Sequence, residues 1–420
     1  TTGNTLSLHD ALPISFDCML LTLTVHCKLL TVNCQLIGVE GELKMKLENV
    51  LNKAEYTKEE LLYLINLEDK DKINRLYNHA YQVKKENVGQ KVYYRGIIEF
   101  SNICEKNCNY CGIRADNSNV DRYFMDKEEI LESAQFIYDN NYGSLVLQSG
   151  EQTDEEYIKF VDEIIKEIKD LSNGELGITL SLGEQDKETY QRWFDLGAHR
   201  YLIRIESSNP KLYQSIHPQD HDFQRRLQSL KDLKEIGYQV GTGVMIGIPG
   251  QSREDLVDDI LFFKQHDTDM IGMGPYVIHE ETPIVKEIKN REELKERNLD
   301  WGLKMIAILR LVMPDINIAA TTALQALDSI GREKALKAGA NILMPIVTHK
   351  NYRADYQLYE NKPCTEEEAS DCKNCLAYRI AKVGDEIGYG EWGDSPHYFK
   401  RINNQEELGS EIDAENAAGQ

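Results

Sequence analysis

At 420 residues and 41 % apolar content, the chain is long enough for one large barrel or two ordinary domains around a sizeable core. Its net charge of −22, carried by acidic residues along the whole length, repels nucleic acid and anionic lipid and favours solubility. No uncharged apolar run reaches the roughly 18 residues of a spanning helix, so neither nucleic acid nor a membrane is an expected partner.

Residues 1–44 differ in character from the rest. Thr1–Ser15, with LSLHDALPIS inside it, resembles translated sequencing-adaptor DNA, and residues 16–44 then read as translated upstream DNA, with the natural start at Met45. A genuine N-terminal extension is the other reading. The stretch lacks a basic leading region and a small-residue cleavage site, which argues against a signal peptide. Cys18, Cys27 and Cys34 fall here and are left out of the chemistry.

From Met45 the chain opens with a helical region, about residues 45–90. Leu47, Val50 and Leu51 have helical spacing, and Thr57 with Glu60 three residues on marks a helix start. The apolar, β-branched run Val92–Phe100 reads as a buried strand. Further strands are expected at Ser144–Leu147, Gly177–Ser181, Arg200–Ile205, Gln239–Ile246, Met270–Gly274, Ile316–Ala320 and Asn341–Pro345, with amphipathic helical stretches between them. Such alternation implies a parallel sheet. Eight units over residues 91–347 imply an α/β fold of the (β/α)8 TIM type, with a doubly wound open sheet as the fallback. Residues 348–420 form a C-terminal segment with three cysteines and an acidic tail.

In such barrels chemistry sits on loops leaving the C-terminal strand ends. The unusual residues fall there. The triplet Cys104, Cys108, Cys111 follows the first strand, and Ser149, Gly150 and Glu151 the second. Gly183 and Glu184 follow the third, and Arg204 and Glu206 end the fourth. Gly247, Pro249 and Gly250 follow the fifth and Gly274 with Pro275 end the sixth. Thr321 with Thr322 and Met344 with Pro345 end the seventh and eighth.

The six cysteines beyond residue 44 form two clusters of three, Cys104/Cys108/Cys111 and Cys364/Cys372/Cys375. That grouping suits metal sites better than disulfides and points to a reducing cytoplasm. Three thiolates spaced C-x3-C-x2-C on one loop suit a 4Fe–4S cube with one iron left open. An open iron can chelate the amino and carboxylate groups of S-adenosylmethionine (SAM), and one-electron reduction then yields a 5′-deoxyadenosyl radical. Tyr110 could pack on adenine. A structural zinc site is the alternative, but zinc prefers four ligands in paired spacing. The pattern resembles that of the radical SAM superfamily. Gly150 lets a backbone carbonyl approach a ligand closely, Glu206 suits the SAM ammonium or ribose, and Arg226 suits its carboxylate. Taken singly, each also reads as an ordinary turn or surface charge.

The stretches IIEFSNICEKNCNYCGIR, LVLQSGE, TLSLGE, MIGIPGQ, GPYVIHEETP, NIAATTA, AGANILMP and YQLYENKPC, over about residues 47–400, resemble the HydE family of FeFe-hydrogenase maturases. Biotin synthase and methylornithine synthase are neighbouring groups. The resemblance implies a (β/α)8 barrel, a 4Fe–4S cluster, SAM, and a part in building the di-iron subcluster of the hydrogenase active site (the H-cluster). It implies a small iron–cysteine complex delivered by the maturase HydG as substrate, and the maturase HydF as a downstream partner. Carried over onto matching positions, Ser149, Glu206, Arg226 and Met245 are SAM contacts. Thr179, Arg204, Thr321, Thr322 and Met344 form the inner-barrel substrate or anion pocket, with Tyr356 and Tyr359 near its mouth. Cys364, Cys372 and Cys375 match an auxiliary iron–sulfur site that some members carry, and no catalytic role is assigned to it. Competing readings are an amino-acid mutase like methylornithine synthase and a non-enzymatic iron–sulfur or zinc scaffold.

Overall fold

The computed structural model describes residues 46–404 apart from Glu368 and the side chains of Asp371 and Cys372. The expected extension over 1–44, its three cysteines and the acidic tail lie outside the described residues. The chain divides into two units, 1–53 and 54–420. In the first, the described part is one short helix, Leu47–Leu51.

The second unit begins with the helices Lys58–Ile65 and Lys70–Asn87. Thr57 and Glu60 close the capping box expected from their spacing: the Thr57 hydroxyl accepts from the Glu60 amide and the Glu60 carboxylate from the Thr57 amide. Strands follow as β1 (Lys91–Ser101), β2 (Ser144–Ser149), β3 (Gly177–Ser181), β4 (Ala198–Leu202), β5 (Gln239–Thr242), β6 (Met245–Ile246), β7 (Met270–Ile271), β8 (Gly274–Pro275), β9 (Asn317–Ile318), β10 (Ile342–Leu343) and β11 (Glu386–Ile387). Eight of them lie in parallel in the order β10-β1-β2-β3-β4-β5-β7-β9. The ring closes, because Ala319 bridges Ile342 and the Asn341 amide donates to Ile318 O at 2.9 Å. Closure removes the open-sheet alternative.

Helices cover the outside. Glu155–Leu171 shows why: Tyr157, Ile158, Val161, Ile164, Ile165 and Ile168 recur at helical spacing and are all buried, while Asp154 caps its N-terminus. The expected strand Gln239–Ile246 breaks into β5 and β6. Thr242 pairs with Ile271 and Met245 with Gly274 at the same offset, so β6 and β8 carry the β5–β7 pairing past the barrel rim. The break falls where Gly243 crosses Gly272 so closely that a Cβ would lie 2.3 Å from its carbonyl oxygen.

The segment after β11 closes the N-terminal end of the barrel. Gly393 O accepts from Arg95 Nη2 at 3.1 Å and from Asn317 Nδ2 at 2.8 Å. Asp394 pairs with Arg200, whose side chain is fully buried.

Candidate active site

A cavity of about 360 Å³ opens at the C-terminal end of the strands. Its rim is the loop after β1, which carries Cys104, Cys108 and Cys111. That loop has no regular structure of its own, so distant backbone holds it: Glu105 N donates to Glu151 O, Asn109 N to Ile216 O and Gly112 N to Leu358 O, each at 2.9–3.0 Å. Arg122 staples the loop from beneath, donating to the carbonyls of Asn102, Ile113, Arg114 and Asn117. Gly150 sits where a Cβ would come 2.1 Å from Ile103 O and 2.8 Å from the Cβ of Cys104. Only glycine lets the loop lie this close to the end of β2.

The three thiols all face the cavity. Burial raises each of them, and the charge of its neighbours adds to the rise: Cys108 goes up to about 12 and Cys111 well above its usual value. Thiols that resist ionisation together become ligands when a cation takes up their charge. The donor set therefore fits an iron–sulfur cube. No fourth cysteine joins them among the described residues, while His217 and His221, which the spacing of the triplet does not announce, approach Cys108 alone.

The expected cofactor residues line the same cavity. Ser149 Oγ lies 2.7 Å from the Tyr157 hydroxyl. Glu206 has φ 63°, left-handed for a non-glycine residue, and its backbone bonds both Gly243 O and Met245 N. Strain of this kind persists only where surroundings enforce it and often marks functional sites. Its carboxylate lies 2.9 Å from Arg204 Nη2, an ion pair without hydrogen-bond alignment. Arg226 already has a carboxylate partner, with Nε 2.5 Å from Glu184. Burial opposes its charge, and Glu184, Tyr213, Glu151 and Tyr110 together outweigh burial. Met245 belongs to an apolar wall with Ile248 and Tyr276, against which Tyr110 packs.

Deeper in, Arg204, Thr321, Thr322, Met344, Tyr356 and Tyr359 line the inner part. Thr322 Oγ1 bonds the Tyr359 hydroxyl at 2.6 Å, and the Tyr356 hydroxyl accepts from Gln148 at 3.1 Å. Thr321 Oγ1 is buried with no hydrogen-bond partner among the described residues. Thr179 does not join this group. It is fully buried and accepts from Arg200 Nε at 2.9 Å, outside the cavity lining.

Sequence reasoning passed over an ion pair in this cavity. Lys362 Nζ lies 2.6 Å and 2.7 Å from the two Glu99 carboxylate oxygens and donates to Tyr356 O, all buried. The signal was a lone carboxylate inside the apolar run Val92–Phe100. Of the second triplet, Cys364 packs on Ile97, Val146 and Ile346 in the barrel wall, and Cys375 is exposed on the helix Ala369–Val383. The Cys372 side chain lies outside the described residues. A wider depression of about 800 Å³ between Asp162 and Arg192 is open to solvent and holds no such convergence of groups.

A closed ring of eight parallel strands with three thiols at its mouth defines a class, and residues 98–263 match the model of the radical SAM superfamily. The chain is 42 % identical over 353 residues to the FeFe hydrogenase maturase subunit HydE of Thermotoga maritima, covering 84 % of this chain and 97 % of that one. It is 28 % identical to a 3-methylornithine synthase of Methanosarcina acetivorans, over 71 % of this chain and 82 % of that one. The crystal structure of methylornithine synthase superposes with a TM-score of 0.69 at 26 % identity, over 82 % of this chain and 97 % of that one. The chain belongs to the HydE family of FeFe-hydrogenase maturases, a radical SAM enzyme family whose cofactors are a 4Fe–4S cluster and SAM. Among the described residues no helix is long and apolar enough to cross a membrane.

Proposed function

We propose that Cys104, Cys108 and Cys111 hold the cluster, and that the inner cavity binds a small iron–cysteine complex on its way to the di-iron subcluster. The observation that carries this reading is the convergence of three half-buried thiols, a strained Glu206 and an inner wall of hydroxyls and Arg204 in one cavity. When bound, the cluster and SAM supply an electron and a 5′-deoxyadenosyl radical. The chain's own residues bind, orient and exclude water. Glu206 and the strand-end carbonyls beside Gly150 receive the SAM ammonium. Arg226, fixed by Glu184 and by the Arg204 carbonyl that its Nη1 reaches, receives its carboxylate with Nη2. Met245 and Tyr110 form an apolar wall for adenine. Arg204 and the Thr321 hydroxyl face the inner cavity, where an anionic iron complex would satisfy both.

In this reading HydG supplies the complex and HydF receives the product, in the cytoplasm. The test is maturation of FeFe hydrogenase in a defined mixture containing HydG and HydF, with and without this protein. Dependence on the protein and on SAM is expected. 5′-Deoxyadenosine formed only with lysine, and no maturation, would transfer the reading to the mutase alternative. Cys364, Cys372 and Cys375 take no part in SAM cleavage in this scheme. Replacing all three lowers iron content by up to half and leaves 5′-deoxyadenosine release near wild type; loss of release would place the second triplet in the reaction.

A further inference from the structure

Two histidines beside the cysteine loop have no task in the scheme above. His217 ends the helix Pro210–Ile216, and His221 precedes Asp222, the cap of the helix Phe223–Ile236. Both are buried. Their rings stack with centroids 5.1 Å apart, and Tyr213 stacks on His217 at 4.0 Å, so the pair is held in place by packing. His217 Nδ1 lies 2.8 Å from Tyr213 O. A carbonyl oxygen only accepts, so Nδ1 carries the proton and Nε2 keeps its lone pair. That Nε2 faces the Tyr110 hydroxyl at 3.3 Å. His221 Nε2 is buried with no hydrogen-bond partner among the described residues. The residue lines the cavity, and a buried polar atom left in this way calls for a ligand.

The Cys108 sulfur and one nitrogen from each of the two rings lie within 4.8 Å of one another. We propose that Cys108, His217 and His221 form a site for a single divalent transition-metal ion, zinc or ferrous iron, in the protein before its cluster is assembled. One thiolate and two imidazoles suit both metals. Bonds of about 2.0–2.3 Å in a tetrahedron need ligand atoms roughly 3.5 Å apart, so a contraction of about 1 Å completes the set. The fixed Nδ1–H of His217 orients its ring as a carbonyl partner does for many metal-bound histidines. Water from the cavity supplies the remaining position. Binding transfers the Cys108 thiol proton to solvent and involves no electron. Cys108 serves both sites, so the single ion and the cluster exclude each other; only this exclusion rests on the cluster assignment.

The test uses the full-length, cluster-free, reduced protein titrated with Co2+ under anaerobic conditions and then displaced with Zn2+. One equivalent with a thiolate-to-cobalt absorption band is expected. His217→Ala and His221→Ala should each weaken binding by about tenfold or more, and His217→Gln and His221→Gln should do the same if alanine perturbs the fold. Cys104→Ala and Cys111→Ala should keep wild-type affinity. Unchanged binding in the histidine variants, or loss in Cys104→Ala and Cys111→Ala, would place the ion in the thiol triplet and overturn the proposal. As a second readout, one equivalent of Zn2+ added before reconstitution should slow cluster formation in the wild type and leave the histidine variants unaffected. Equal slowing in all of them would overturn the exclusion while leaving the metal titration to stand or fall by itself.

Discussion

The two ends of the barrel use buried polar groups in opposite ways. At the N-terminal end a chain segment closes on them: Asp394 meets Arg200 and His199, and Gly393 O receives Arg95 and Asn317. At the C-terminal end no segment of the described chain does this for Thr321 Oγ1 or for His221 Nε2, and the Cys104 thiol receives a long hydrogen bond from Lys106 N at 3.4 Å. A charge with its counter-ion in place serves the fold, whereas a partnerless group that lines an open cavity is placed to meet a ligand, which Arg95 Nε and Arg200 Nη2 at the closed end are not. The same ring of strands therefore carries a structural end and a chemical end, as barrels of this type commonly do.

The contrast can be broken most directly by removing a thiol. Cys111→Ala should cut SAM cleavage at least about 1000-fold, roughly 4 kcal/mol of barrier, while circular dichroism shows an intact fold; substantial activity would remove the triplet from the chemistry. The opposite test is Asp394→Asn. It leaves the Arg200 guanidinium buried without its counter-ion, so unfolding free energy should fall by about 3–5 kcal/mol. SAM cleavage by the protein that remains folded should be unchanged, and a loss of activity at unchanged stability would erase the division between the two ends. Glu206→Gln sharpens the chemical end. Losing a charged partner for an ammonium should raise the KM for SAM about tenfold or more, some 1.5–3 kcal/mol, with iron content unchanged; a fall in iron content with an unaltered KM would make Glu206 a support of the loop.

The smallest effect belongs to the closing segment. Burial lowers the His397 pKa, but hydrogen bonds and charge from Asp267 and Asp269 more than reverse this and raise it to about 9. Its folded value exceeds its unfolded value of about 6.5, so the stabilisation is complete below pH ~6.5 and is lost as pH rises through about 9. Melting temperature should drop by roughly 2 °C across that window, and His397→Gln should flatten the drop. An equal drop in His397→Gln would assign it to another group.

Much of the chemical end was legible because it is local. Cys104, Cys108 and Cys111 sit within one short loop, and the flanking apolar run Val92–Phe100 announces the strand that presents them. Glu206 and Gly150 stand at strand ends and could be found by position. The family resemblance groups Thr179 with Thr321 and Thr322, yet it turns to Arg200 outside the cavity. Strand alternation gives the face a residue is on, but its depth in a tilted barrel depends on the stagger of eight strands.

The sequence by itself determined the alternation of strands and helices, the order of the strand-end motifs and the thiol spacing, because each depends on neighbours a few residues apart. Tertiary structure alone decided the closure of the ring by Ala319 and Ile342, the pairing of Glu99 with Lys362, the four-carbonyl staple at Arg122 and the approach of His217 and His221 to Cys108. The Glu99–Lys362 and histidine–thiol pairings join residues about 100 to 260 positions apart, and the ring and the staple depend on how distant or irregular segments pack. Loop closure over such spans leaves no local pattern to read.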